Sequence, residues 1–214
     1  MGDIIDFILH IDDHLKQITR DYGALTYAVL FAIVFCETGL VFMPLLPGDS
    51  LLFAAGTLAA DPLYGMNIWL LCGLLIVAAI IGDTVNYHVG YFFGDRIPFI
   101  NKKHIARTQA FFERHGKKTI ILARFVPIVR TFAPFVAGIG KMNYGQFLLY
   151  NAIGGVAWVV ICLFAGYIFG GYEIVQKNFE LVVLAIIGVS VLPMAIELAR
   201  GWFLRKEHDK GSIE

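Results

Sequence analysis

The sequence predicts an all-α integral membrane protein. Of its 214 residues, 58% are hydrophobic and only 16% are charged, whereas an ordinary globular domain carries about 25% charged residues. Several apolar runs are long enough to cross a bilayer as a helix, which needs about 20 residues. The formal net charge is zero, so no overall field favours nucleic acid as a partner. These observations favour a single membrane domain over residues 1–214.

The N-terminal segment, residues 1–22, predicts an amphipathic helix. Ile4, Ile8, Ile11 and Leu15 fall on one helical face, and the charged residues fall largely off it. A helix of this kind lies in the membrane interface and does not cross the bilayer.

Residues 24–60 predict a re-entrant hairpin. A proline-rich turn at 44–49 breaks the apolar segment, because proline cannot continue a helix. The second arm, 51–60, has only 10 residues, too few to return across the bilayer. The hairpin is therefore expected to enter and leave on the same side of the membrane.

The same order of elements recurs in the second half of the chain. The predicted elements are a transmembrane helix at 68–93, a basic cytoplasmic loop with an interfacial helix at 94–118, a second re-entrant hairpin at 119–142, transmembrane helices at 146–171 and 181–199, and a cytoplasmic tail at 200–214. Each repeat of interfacial helix, hairpin and span crosses the membrane once, so the second repeat is expected to be inverted. The span at 181–199 is then an extra C-terminal helix.

Basic residues predict the orientation in the membrane. The 94–118 loop carries seven Lys and Arg residues and the tail carries four, whereas residues 1–23 carry two against five Asp. The positive-inside rule places the loop and the tail in the cytoplasm and the N-terminus outside.

Four of the charged residues within the predicted hairpins are candidates for a site: Glu37, Asp49, Arg124 and Arg130. A charge at the bilayer centre costs about 2.5–3.5 kcal/mol, so these groups are expected to pair or to face water. Opposed hairpins would bring the two acids near the two arginines. One interpretation is a functional site in which the arginines hold an anion, since a guanidinium suits phosphate geometry, and one of the acids exchanges a proton. The other is a static set of ion pairs that joins the hairpins.

A further set of polar candidates lies on one face of the span at 68–93. Asp83, Asn86, Tyr87 and Gly90 follow the i, i+3, i+4, i+7 spacing of neighbours on a helix. They either line the same cavity or form a polar contact between helices, and the spacing does not decide between the two.

Catalytic, metal and cofactor sites are not expected. Residues 48–51 match a short hydrolase signature but lack its downstream Asp-x-x-His partner. His10 and His14 are spaced at i, i+4, which a solvated helix face explains better than a metal site. The three cysteines show no metal or redox spacing. We therefore expect a protein that is not an enzyme and that carries no cofactor.

Several of these stretches resemble motifs of the bacterial DedA family. They are Phe35-Cys-Glu37-Thr-Gly39, Pro47-Gly48-Asp49-Ser-Leu-Leu-Phe53, Gly82-Asp83 with Tyr87 and Gly90, and Ala123-Arg124-Phe125-Val-Pro127-Ile-Val-Arg130-Thr131-Phe-Ala-Pro134-Phe-Val-Ala137-Gly138, continued by Met142, Asn151 and Trp158. The likeness covers roughly residues 20–200. One departure is Tyr91, where many members carry Arg.

The resemblance implies an inner-membrane protein with two opposed re-entrant hairpins. It also implies lipid translocation, with undecaprenyl phosphate as the favoured substrate and the proton motive force as the driver. Glu37, Asp49, Arg124 and Arg130 match the family's functional acidic and arginine positions.

The combined expectation is a proton-linked flippase for a polyprenyl phosphate, with membrane lipids and protons as its other partners. Arg124 and Arg130 would bind the lipid phosphate, and Glu37 and Asp49 would couple protons. A small-ion or proton antiporter that uses the same site is one alternative, and an intramembrane lipid-phosphate enzyme is a second. The sequence leaves open whether the protein forms oligomers.

Overall fold

The computed structural model describes residues 23–40, 48–93, 119–125 and 127–172, with four further positions between 175 and 185. Among these residues the regular structure is helical, and no strand is present. The predictions for the interfacial helix at 1–22, most of the turn at 44–49, the loop at 94–118, most of the span at 181–199 and the tail at 200–214 lie outside the described residues.

Six α-helices form the described part of the chain. They are α1 (Leu25–Gly39), α2 (Gly48–Ala60), α3 (Ile68–Phe93), α4 (Thr119–Ala123), α5 (Pro127–Ile139) and α6 (Tyr144–Phe169), with a 3-10 turn at Pro62–Tyr64 between α2 and α3. Helices α3 and α6 have 26 residues each and are apolar enough to cross a membrane. They coincide closely with the spans predicted at 68–93 and 146–171. Each predicted hairpin contains two shorter helices, α1 with α2 and α4 with α5.

Local sequence explains where the two long helices begin. The Asn67 side-chain oxygen accepts a hydrogen bond from the backbone N–H of Trp69 at 2.9 Å, and that of Asn143 accepts one from Gln146 at 3.2 Å. Asn is a preferred N-cap residue because its side chain satisfies an N–H that has no partner within the helix. Gly65, at φ 57°, permits the tight turn before α3.

Helices α3 and α6 run antiparallel to each other. Near the start of α3, the Trp69 ring lies 5.4 Å from the ring of Phe164, near the end of α6. Near the end of α3, the Tyr87 ring lies 4.5 Å from the ring of Phe147, near the start of α6. The N-terminal part of each helix is therefore beside the C-terminal part of the other.

The second arm of each hairpin packs along the long helix of the other half, α2 along α6 and α5 along α3. Glycines allow both contacts, because a Cβ at any of four positions would lie 2.0–2.1 Å from a backbone oxygen of the facing helix. The four are Gly56 in α2, facing Leu163; Gly166 in α6, facing Phe53; Gly90 in α3, facing Phe135; and Gly138 in α5, facing Tyr87. Small residues at such interfaces let helix backbones approach closely within membranes.

Two apolar clusters form the core. On α3 the larger cluster ends at Ala79, and the smaller begins at Tyr87. On α6, which runs in the opposite direction, Phe147 belongs to the smaller cluster and the larger cluster begins at Trp158. Buried polar residues occupy the interval between the clusters on both helices, so the charged groups lie part-way along the two candidate spans.

Candidate functional site

Nine polar and charged residues form a layer between the two apolar clusters, called the polar layer below. They are Glu37, Thr38, Asp49, Asp83, Asn86, Arg124, Arg130, Thr131 and Asn151. All except Asp49 expose 4% of their surface or less, and the Asp49 side chain is 18% exposed. Buried charges are expensive unless they are paired and hydrogen-bonded, so the contacts within this layer decide what the site can do.

Arg130 in α5 is shared between two carboxylates of the first hairpin. Its Nη1 donates a hydrogen bond to Asp49 Oδ1 at 2.9 Å, and its Nη2 donates to Glu37 Oε1. Glu37 lies in α1 and Asp49 in α2, so one guanidinium joins both arms of the first hairpin to the second. The planar fork of arginine makes this double contact possible.

The Glu37 carboxylate sits at the start of α2. Its Oε1 accepts a hydrogen bond from the backbone N–H of Gly48 at 3.1 Å, while its Oε2 is buried without a hydrogen-bond partner among the described residues. A Cβ at Gly48 would lie 2.0 Å from Oε2. Glycine at this position therefore allows the carboxylate to reach both the helix terminus and Arg130.

Trp158 of α6 contacts the same group of charges. Its indole N–H donates a hydrogen bond to Asp49 Oδ1 at 2.6 Å. The Arg130 Cζ lies 4.6 Å from the centre of its ring, within the range of a cation–π interaction. Trp158 thus holds one carboxylate and also stabilises the arginine that this carboxylate shares with Glu37.

Arg124, in the turn after α4, has different partners. Its Nη2 lies 2.7 Å from Asp83 Oδ2 and 3.3 Å from the carbonyl oxygen of Ala79. Its Nη1 donates to the Asn151 side-chain oxygen at 2.7 Å and to the Asn151 carbonyl at 3.2 Å. Because Ala79 and Asp83 belong to α3 and Asn151 to α6, Arg124 joins the two long helices.

The structure therefore divides the predicted group of four charges. Glu37, Asp49 and Arg130 come together as the opposed-hairpin argument expected. Arg124 forms its ion pair with Asp83 instead, a residue that the sequence had indicated only as a possible cavity residue. The opposed-hairpin argument did not identify this partner because Asp83 lies in the long helix α3 and outside either predicted hairpin.

The two other candidates on α3 form hydrogen bonds with other elements of the fold. The Asn86 side-chain N–H group donates to the carbonyl oxygens of Thr38 at 3.2 Å and Thr131 at 2.7 Å, and so links α1, α3 and α5. The Tyr87 hydroxyl donates to the carbonyl oxygen of Met142. Asn86 is fully buried, which fits the polar helix contact that the sequence left open.

Tyr87 also lines a pocket of about 300 Å³. The remaining lining residues follow on from it in α3 and precede or begin α6: His88, Tyr91, Phe92, Lys141, Met142, Asn143 and Tyr144. Tyr91, the position that departs from the family pattern, stacks on Tyr87 with ring centres 6.2 Å apart. The pocket borders the smaller apolar cluster, and neither Asp83 nor Asn86 is among its lining residues.

Two functional candidates were missed by sequence reasoning about charges. Trp158 and Asn151 entered the sequence analysis only as part of a family likeness, yet both contact an arginine of the polar layer. The signal that could have found them is a hydrogen-bonding side chain inside a long apolar span, since such groups need a buried partner.

The described residues contain no group of three or more His, Cys, Asp and Glu side chains arranged to hold a metal ion. The charges in the polar layer instead neutralise one another through ion pairs. Two arginines face three acids there, which leaves one excess negative charge when all are ionised. An excess carboxylate in a buried layer is a group that can take up a proton.

Comparisons with known proteins place the chain in a family. The VTT domain matches residues 46–168. Protein DedA of Escherichia coli (strain K12) is 51% identical over 203 residues, covering 92% of this chain and 93% of that protein. An uncharacterized membrane protein of Mycobacterium tuberculosis (strain ATCC 25618 / H37Rv) is 42% identical over 191 residues, covering 86% and 84%.

A more distant relative adds a named location. Inner membrane protein YqjA of Escherichia coli (strain K12) is 34% identical over 157 residues, covering 71% of this chain and 70% of that protein. No solved structure matches the chain. The matched domain and the relatives agree with the apolar helices α3 and α6 in indicating a membrane protein. The chain belongs to the DedA family of VTT-domain membrane proteins.

Proposed function

We propose that this protein is a proton-linked flippase that moves a polyprenyl phosphate, undecaprenyl phosphate in particular, across the bacterial inner membrane. The observation that carries the proposal is Arg130, a buried arginine shared between two carboxylates from the opposite hairpin. Intramembrane ionisable groups of this kind commonly mark a transport pathway. The DedA resemblance supplies the class of substrate.

The packing of the two halves supports an inverted-repeat architecture with two re-entrant hairpins. Helices α3 and α6 run antiparallel, and each is contacted through glycines by the second hairpin arm of the other half. Secondary transporters built from inverted repeats place their substrate site near the bilayer midplane, between the repeats. In this proposal the polar layer, which lies part-way along both candidate spans, is the corresponding site.

A phosphate would bind by taking the place of a carboxylate on Arg130. Guanidinium groups bind phosphate and carboxylate oxygens with the same bidentate geometry, so the two anions compete for the same donors. Arg124 would add positive charge close to the same site, because its Cζ lies 5.8 Å from the centre of the Trp158 ring. The polyprenyl chain would remain in the lipid while the headgroup crosses between the hairpins.

Protons would enter the cycle through Glu37 and Asp49. When a phosphate takes over Arg130, the two carboxylates lose a shared counter-charge within a buried layer. A buried charge without its partner costs about 3–5 kcal/mol, so protonation of a carboxylate becomes favourable at that point. Phosphate movement and proton movement are then linked through one arginine.

The small-ion or proton antiporter remains the second candidate function, and one observation favours it. Both arginines are 4% exposed or less, so they are closed to a lipid headgroup, whereas a small ion would need less rearrangement to reach them. A lipid headgroup requires the hairpins to separate. This difference makes the two candidates distinguishable by measuring which solute moves.

We propose the orientation given by the basic residues, with the N-terminus in the periplasm and the C-terminus in the cytoplasm. The seven Lys and Arg residues between 94 and 118 favour the cytoplasmic side for that loop. The inner membrane is the proposed location because the relative YqjA is named an inner membrane protein. Single cysteines at 62 and 143 would test the orientation through labelling from opposite sides.

The decisive experiment is reconstitution of the full chain into liposomes with detection of undecaprenyl phosphate in each leaflet. Transport should require a pH gradient for full rate and should be lost in Arg130→Gln. Gly73→Ala is the matched control, because a Cβ there meets open space. Ion or proton flux without lipid movement would favour the antiporter and contradict the flippase.

A further inference from the structure

We infer that Glu37, and not Asp49, takes up the proton when a phosphate engages Arg130, and that Trp158 is the positioning residue that keeps Asp49 ionised. The inference rests on the proposed function and deepens it, since the sequence alone treated the two acids as equivalent. It stands on the different hydrogen-bond donors that surround two carboxylates sharing one arginine.

Asp49 keeps a donor when Arg130 leaves. Its Oδ1 accepts from the indole N–H of Trp158 at 2.6 Å as well as from Arg130. Its side chain is 18% exposed, so it is less completely buried than that of Glu37. It also lies in the first turn of α2, where the positive end of the helix dipole stabilises an anion. These three features favour a carboxylate that remains charged.

Glu37 loses most of its stabilisation at the same moment. Its donors are Arg130 and the single backbone N–H of Gly48, and its Oε2 has no hydrogen-bond partner among the described residues. It is 1% exposed. It also lies in the last turn of α1, whose negative dipole end opposes the favourable contact of its carboxylate with the start of α2 at Gly48. Without Arg130, the neutral acid is the favoured form.

The acidic groups around Glu37 act in the same direction, and the arginines oppose them. Asp49 from α2 and Asp83 from α3 are the nearby acids, and Arg130 from α5 is the nearby base. Helix α6 contributes Trp158 and Cys162, which lies within electrostatic range of Asp49 and Glu37. When a phosphate dianion occupies Arg130, it adds two negative charges to the excess of one that the three acids and two arginines already carry. Protonation of Glu37 removes one of these charges.

Trp158 makes two contacts that can be separated by substitution. One is its N–H bond to Asp49, and the other is its ring contact with Arg130, whose guanidinium carbon lies 4.6 Å from the ring centre. Trp158→Phe keeps an aromatic ring near the arginine and removes the donor. Asp49 would then lose the indole donor and would compete better with Glu37 for the proton.

The test counts protons taken up on phosphate binding, with the full chain in detergent and farnesyl phosphate as the probe. Calorimetry in buffers of different ionisation enthalpy gives the proton number at about pH 7.5, well above the second pKa of a phosphate monoester, about 6. We expect uptake of about one proton per bound phosphate in the parent protein and in Asp49→Asn, and none in Glu37→Gln. Infrared difference spectra should show a protonated carboxyl group in the first two proteins alone.

Two kinds of result overturn the proposal, and they can be told apart. Uptake that persists in Glu37→Gln, or that disappears in Asp49→Asn while phosphate still binds, contradicts the assignment of the proton to Glu37 and leaves phosphate binding standing. Failure of farnesyl phosphate to bind the folded parent protein contradicts the phosphate site itself, and the assignment falls with it.

The role of Trp158 is tested in the Glu37→Gln background. Adding Trp158→Phe should restore roughly half of the parent proton uptake, because Asp49 becomes the acid that needs the proton. A residue with a purely structural role would restore none, and that result would overturn the positioning role.

A second measurement covers the case in which this double variant does not fold. With Trp69 and Trp202 replaced by Phe, Trp158 is the remaining tryptophan, and resonance Raman spectroscopy reports its N–H hydrogen bond. That bond should persist when farnesyl phosphate binds, and its loss would contradict the retention of Asp49.

Discussion

Arg124 and Arg130 are both buried within the polar layer, yet they are held in different ways. Arg124 bonds to Asp83, to the side chain and carbonyl of Asn151, and to the carbonyl of Ala79. Those partners belong to α3 and α6, and two of them are backbone atoms. Arg130 is held by two carboxylates from the arms of the first hairpin.

The difference distinguishes a fixed arginine from an exchangeable one. Backbone carbonyls of a long helix cannot turn away without breaking the helix, so the Arg124 contacts are rigid. Carboxylates can rotate, accept a proton or give way to another anion, so the Arg130 contacts can be replaced. We therefore expect changes around Arg124 to affect mainly folding and changes around Arg130 to affect mainly transport.

The largest expected effect on stability is that of Asp83→Asn. It leaves Arg124 buried without its ion-pair partner, and breaking a buried pair in this way costs about 3–5 kcal/mol. Unfolding followed in detergent by heat or denaturant measures the loss. Asp49→Asn is the matched control, because Arg130 retains Glu37, and its loss should be clearly smaller. Equal losses in the two variants would remove the distinction between the two arginines.

Arg130→Lys should reduce transport strongly while the protein still folds. Lysine keeps the charge but lacks the fork that reaches two acids, and a hydrogen bond to a charged group is worth about 1.5–3 kcal/mol. Lipid translocation in proteoliposomes should fall about tenfold or more. Arg124→Lys is the comparison, and its main effect should appear in unfolding. Transport at the parent rate in Arg130→Lys would show that charge alone is sufficient.

Gly48→Ala should disturb the Arg130 site by an intermediate amount. The new Cβ would lie 2.0 Å from Glu37 Oε2, so the carboxylate must move away from Arg130 and from the start of α2. Overpacking of this kind costs about 1–3 kcal/mol, and transport should fall with stability. Gly73→Ala, which meets open space, should leave both unchanged. A Gly48→Ala protein that matches this control would contradict the contact.

Tyr87→Phe should have the smallest effect, because Tyr87 contacts neither Arg124 nor Arg130. It removes the hydrogen bond from the hydroxyl to Met142 within the smaller apolar cluster, outside both arginine sites. The expected loss of stability is about 0.5–1.5 kcal/mol, and the rate of lipid translocation should not change. A marked loss of transport would extend the functional region from the polar layer to the aromatic pocket.

Local sequence determined much of the secondary structure. The two long helices follow from long apolar runs that begin after Asn67 and Asn143, whose side chains cap the helix starts. The two apolar segments that the sequence predicted to be broken each contain two shorter helices. These helix positions depend on residues close together in the sequence. Apolar runs, prolines and capping residues therefore predict them without a structure.

The candidate site was predictable in its residue types but not in its pairings. A charge in an apolar segment needs a partner, and that requirement identified Glu37, Asp49, Arg124 and Arg130 before any fold was known. It could not assign Asp83 to Arg124 or place the Trp158 indole on Asp49, because each pair joins elements far apart in sequence.

The sequence by itself determined that this chain is a helical membrane protein with charges that must be compensated, because hydrophobicity and the cost of a buried charge are properties of individual residues. Tertiary structure decided which acid compensates which arginine. That choice depends on the close approach of α2 to α6 and of α5 to α3, where glycines let the backbones meet. The packing of helices from opposite halves, and not any local motif, separates a fixed Arg124 from an exchangeable Arg130.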